Sequence, residues 1–73
     1  MVRKLYRHRI IGGKHTAIEN VTKGIPKHLV GQAKEILQNL IRMELIIIKP
    51  TSYGIQVSLN AEKIHEIEEL IYE

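Results

Sequence analysis

Between Pro26 and Glu44, the apolar residues Leu29, Ala33, Ile36, Leu37, Leu40 and Ile41 recur at three- and four-residue spacing. His28, Gly31, Gln32, Glu35, Gln38, Asn39 and Arg42 fill the positions between them. This is the period of an α-helix with one apolar face and one outward face. Such a face is stable only when a second element covers it. The chain has 73 residues from which to draw that cover, and one this short buries only roughly 60 to 65% of its unfolded surface. Residues 1–73 are therefore expected to form a single domain whose apolar segments share one core.

The covering segments are legible on either side. Val2, Leu5, Tyr6, Ile10 and Ile11 suit an N-terminal helix or arm over 1–11, although Ile10 and Ile11 fit a short strand equally well. Gly12-Gly13 then favours a turn. Thr16-Ala17-Ile18-Glu19 matches a capping box, with Thr16 capping a short helix over about 17–22 and Glu19 reaching back to the amide of residue 16. Lys23-Gly24 closes that helix, and Pro26 suits the first turn of the long one. Downstream, Leu45–Lys49 and Ile55–Leu59 read as the two strands of a hairpin over 45–59, with Pro50–Gly54 as its tip. Asn60 can cap a last helix over 61–72, whose stripe is Ile64, Ile67, Leu70 and Ile71. The expected class is α+β, mostly helical.

Composition narrows the chemistry. With no Cys there is no disulfide framework, thiolate metal cluster or Cys nucleophile, and a cytoplasmic protein is expected. The longest apolar run, Leu45–Ile48, is far short of the roughly 18 to 20 residues of a membrane span, and no signal-peptide core follows the basic start. Thirteen residues are Ile and every acid is Glu, a usage seen in thermophile proteins. His8, His15, His28 and His65 show no metal-ligand spacing. Glu62, Glu66, Glu68, Glu69 and Glu73 are spaced as a solvated helix face, and a chain of this size encloses no substrate cleft. Gly12-Gly13-Lys14-His15-Thr16 lacks the first Gly and the final hydroxyl of a phosphate loop. No enzyme, cofactor, metal or small-molecule substrate is expected.

The formal charge of +3 conceals a division. Residues 1–60 hold ten Lys and Arg against Glu19, Glu35 and Glu44, a net +7, whereas residues 61–73 carry a net −4. Arg3, Lys4, Arg7 and Arg9 fall within nine residues that contain no acid. Charge of this sign on a small domain favours a polyanionic partner through counterion release, or is simply a solvated surface.

Helix, short capped helix, tight Gly-x-Pro turn, long amphipathic helix, hairpin and helix, in that order, resemble a winged helix-turn-helix domain. Residues 16–44 would be the helix-turn-helix and 45–59 the wing, followed by a C-terminal helix. The segments GGKHTAIENVTKGIPKH and KPTSYGIQVSLN are similar to small uncharacterised archaeal winged-helix proteins. The resemblance implies a DNA-binding transcription regulator whose third helix enters the major groove through Lys27, His28, Gly31, Gln32, Glu35 and Gln38. Gln pairs with adenine, Lys reaches guanine or phosphate, and Glu accepts from cytosine. Gly31 either permits close backbone approach or relieves helix–helix crowding.

The wing implied by the resemblance would contact the DNA backbone through Lys49, Thr51, Ser52 and Tyr53, with Tyr53 alternatively packing over the hairpin. Its tip carries no Arg, so hydroxyl contacts to phosphate are expected rather than minor-groove insertion. Lys14 and the amides of the Thr16-capped helix either hold a phosphate or form an ordinary exposed cap. Arg3, Lys4, Arg7 and Arg9 would form an additional basic arm. The partner is double-stranded DNA, with a homodimer expected through the C-terminal helix unless its stripe packs on Val2, Leu5 and Tyr6. A protein-interaction module of a transcription or replication assembly, or an RNA-binding protein, is the alternative.

Overall fold

A computed structural model describes residues 1–72; Glu73, read in the sequence as one of the carboxylates of a solvated helix face, lies outside the described residues. The described residues form α1 (Val2–Arg7), β1 (Thr16–Ala17), α2 (Glu19–Thr22), α3 (Val30–Arg42), β2 (Ile46–Thr51), β3 (Gly54–Leu59) and α4 (Ile64–Tyr72). Single 3-10 turns, Lys27–Leu29 and Ala61–Lys63, lead into α3 and α4. The class is α+β, as expected.

β3 is the central strand of a three-stranded antiparallel sheet in the order β1-β3-β2. Ile46 pairs with Leu59, Ile48 with Val57 and Pro50 with Ile55. Pro50 is tolerated because β2 lies at the sheet edge, where a missing amide breaks no ladder. One face of the sheet meets the helices in a cluster of Leu5, Val21, Leu37, Leu45, Ile46, Val57, Leu59 and Ile67. Every helix and both strands of the hairpin thus contribute one or two side chains, with Leu45 from the turn before β2, and burying each is worth about 1.5–3 kcal/mol. Ser58, buried on the other face of β3, donates its hydroxyl hydrogen to the Gly12 carbonyl at 3.2 Å.

Three local expectations are corrected. Thr16 does not cap a helix: Thr16 and Ala17 form β1, paired with Val57 and Gln56, and α2 begins at Glu19. Tertiary strand pairing outweighs the local cap, and the Thr16 hydroxyl accepts a hydrogen bond from Asn20 Nδ2 at 2.9 Å instead. The N-terminal helix stops at Arg7 rather than running to residue 11, and Ile11 bridges Leu59 alongside β3, in keeping with the alternative strand reading of Ile10 and Ile11. The hairpin tip is also tighter than a Pro50–Gly54 loop, because Thr51 already pairs with Gly54.

The ends of α1 and α3 share one device. Arg9 N–H donates to the Tyr6 carbonyl and Ile10 N–H to the Leu5 carbonyl; after α3, Glu44 N–H donates to Ile41 and Leu45 N–H to Leu40. Both are Schellman endings, with Arg9 (φ 56) and Glu44 (φ 63) in the left-handed position usually given to Gly.

The last helix begins as expected. Asn60 Oδ1 accepts from Glu62 N–H at 3.0 Å, while its Nδ2 donates to the Glu44 carbonyl at 2.8 Å, tying the start of the helix to the end of α3. Ile67 is fully buried, and Ile71 packs beside it against the core with Val2 and Tyr6. Tyr6 OH donates to Glu68 Oε2 at 2.7 Å, and the Tyr6 and Tyr72 rings meet edge to face at 6.0 Å. Part of the α4 stripe is thus used inside the chain, while Leu70 and Tyr72 remain exposed.

Candidate nucleic-acid interface

α3 presents Gly31, Gln32, Glu35 and Gln38 to solvent, and the 3-10 turn before it presents Lys27 and His28. All six groove-reading candidates are exposed because Ala33 and Leu37 turn the opposite side of α3 into the core. A Cβ added at Gly31 meets nothing within 4 Å. Gly31 therefore relieves no crowding, which corrects one of its two readings. The expected apolar face is also narrower than its spacing suggests, since Leu29 and Ile36 remain exposed.

The hairpin stands beyond the core. Ile48 and Ile55 continue its inward face but are only partly covered, Ile48 remaining 42% and Ile55 43% exposed. A groove of about 380 Å³ runs between them and α3, floored by Ile18, Leu37, Ile41, Ile48 and Ile55 and edged by Glu19, Thr22, Lys34 and Gln38. Lys34 was missed in the sequence. It lies seven residues after Lys27, on the same helical row, which is the signal that identifies it.

At the tip, Tyr53 is 96% exposed and does not pack over the hairpin. Lys49 and Ser52 are exposed as well. The Thr51 hydroxyl donates to the Gly54 carbonyl at 2.7 Å and accepts from Tyr53 N–H at 3.2 Å. Its hydrogen is engaged in shaping the turn, so the expected contact from Thr51 to phosphate is corrected to a structural role.

The remaining candidates lie elsewhere on the surface. Lys14 is exposed in the loop before β1, and Thr16 is half-buried in the sheet, so the capped-helix phosphate site is not formed. Lys4 Nζ donates to the Asn20 carbonyl at 3.1 Å and an Arg3 guanidinium nitrogen to the Ile71 carbonyl at 3.3 Å. Arg3, Arg7 and Arg9 line one cleft beside Tyr6 and Tyr72. Among the described residues the one ion pair is His65–Glu68, so no Lys or Arg has a carboxylate partner there. No group of three or more His or Glu residues among the described residues is placed to hold a metal ion, and no helix is long and apolar enough to cross a membrane. The Glu68 carboxylate and Tyr72 beside Tyr6 push its hydroxyl pKa up to about 12.

Comparison with protein-family models, curated proteins and solved structures finds no match.

Proposed function

We propose that the chain is a winged helix-turn-helix domain that binds double-stranded DNA, with α3 reading the major groove and the β2–β3 hairpin as the wing. One observation carries the reading. α2 turns through Gly24–Pro26 into α3, and the following hairpin is joined through β3 to a strand that precedes α2. Both the outer face of α3 and the hairpin tip are exposed.

The chemistry of those surfaces suits duplex DNA. Gln32 and Gln38 carry the bidentate donor–acceptor pair that recognises adenine, and Lys27 reaches guanine or phosphate. Lys34, Lys49 and Ser52 supply backbone contacts that position without specifying. Cations without carboxylate partners among the described residues are free to displace counterions from phosphates, so affinity falls steeply with salt. A role as a transcription regulator follows from this reading, with the exposed Leu70 of α4 left to a homodimer contact.

A protein-interaction module is the second reading, favoured by the apolar groove between α3 and the hairpin. Titration of duplex DNA and single-stranded RNA against the wild type and a Lys27→Ala, Gln32→Ala variant separates the readings. Steep salt dependence with duplex preference and loss in the variant supports DNA recognition. No duplex binding at about 50 mM salt contradicts it in favour of a protein partner, and preferential RNA binding unaffected by the variant favours the basic surface around α1.

A further inference from the structure

A second group of cations lies away from α3, distinct from the Arg3, Arg7 and Arg9 cleft. Lys4 and His8 sit one helical turn apart at α1, Lys14 follows in the loop, and Lys23 follows α2. All four line one cleft of about 440 Å³ together with Thr16 and Asn20. No carboxylate lines that cleft. The bond from Lys4 Nζ to the Asn20 carbonyl holds its α1 and α2 walls together and keeps one ammonium at the wall.

We propose that this cleft is a phosphate-binding site, separate from the α3 surface. A concave surface lined by one sign of charge focuses the field, so the three exposed ammonium groups act together on one anion, beside the His8 imidazole. The residue types define the ligand. Lysine ammonium groups are compact point charges that hold a multiply charged anion such as phosphate from several directions at once, without the planar bidentate fork of arginine. The floor is Leu5 and Ile10, with no aromatic ring to stack on a base or other flat ligand. The cleft therefore takes the phosphate itself, carried either by a nucleic-acid backbone or by a small phosphorylated compound. This site stands independently of the groove-reading role of α3.

The test is an amide-shift titration of the full chain with inorganic pyrophosphate at low salt. The expected result is saturable shifts at residues 4, 8, 14, 16, 20 and 23, weakened about ten-fold or more in Lys4→Gln, Lys14→Gln, Lys23→Gln. Arg7→Gln, Arg42→Gln, Lys63→Gln loses as many charges outside the cleft and is expected to retain binding. Lys14→Gln alone, which touches no packing contact, is expected to weaken binding partially. Non-saturating shifts spread over every basic residue, or equal losses in both triple variants, would overturn the site. A parallel duplex-DNA titration identifies the source of the phosphate. If the cleft variant flattens the salt dependence by about 0.9 per lost contact, the ligand is backbone phosphate; if DNA binding is unchanged while pyrophosphate binding is lost, it is a free phosphorylated compound.

Discussion

Replacing Gly31 with Ala separates stability from recognition at a single atom. Gly31 lies in the first turn of α3, exposed, with no positive φ and open space where a Cβ would stand. Glycine at such a position destabilises a helix by roughly 0.5–1 kcal/mol relative to Ala, the lower end applying near a terminus. Gly31→Ala should therefore raise stability by about 0.5 kcal/mol, a Tm increase of about 2–4 °C for a domain of this size. If α3 lies against DNA with its backbone close at Gly31, the added methyl group occupies that approach and duplex affinity falls. Thermal unfolding by circular dichroism and fluorescence anisotropy with duplex DNA measure the two effects. A variant that is more stable yet weaker in binding is the expected outcome. Unchanged affinity would refute close approach at Gly31, and lower stability would refute its placement in open space.

Other substitutions test the framework. Ile67→Ala should cost about 2–5 kcal/mol, since its side chain is fully buried between α1 and the sheet; a Tm that rises with protein concentration would support the dimer contact of α4. Glu44→Gly should stabilise by about 1 kcal/mol in urea unfolding, because Glu44 holds the left-handed φ of a helix ending. Asn60→Ala removes both a cap and the tie to Glu44 and should cost about 1–2 kcal/mol. The folded state holds the Tyr6 proton up to about 12, above the ordinary value of 10.0. The unfolded chain releases it first, so this contribution to stability is complete below pH 10 and is lost as pH rises towards 12. Ultraviolet titration of tyrosinate should show a late-ionising step that Tyr6→Phe abolishes.

Much of the fold was legible because its main signals are local. The three- and four-residue period located α3, the alternation of Ile55, Val57 and Leu59 located β3, and Asn60 marked the start of the last helix. What escaped depends on distant pairing. Thr16–Glu19 has the pattern of a cap, but β3 takes residues 16 and 17 as an edge strand, a competition that no local window contains. The end of α1 was obscured because Arg9 performs the turn that Gly12 seemed better suited to perform. The site divided in the same way. Exposure along α3 follows from periodicity, whereas the engagement of Thr51 in its own turn and the meeting of Lys4, His8, Lys14 and Lys23 in one cleft require the folded chain.

The central claim is that α3 and the hairpin tip together form the face that meets DNA. Mapping amide shifts across the chain on addition of a short duplex at about 50 mM salt tests it most directly. Shifts concentrated at residues 27–38 and 49–55, diminishing steeply as salt is raised, are the expected result. Shifts confined to α1 and α4, or none at all, would contradict it.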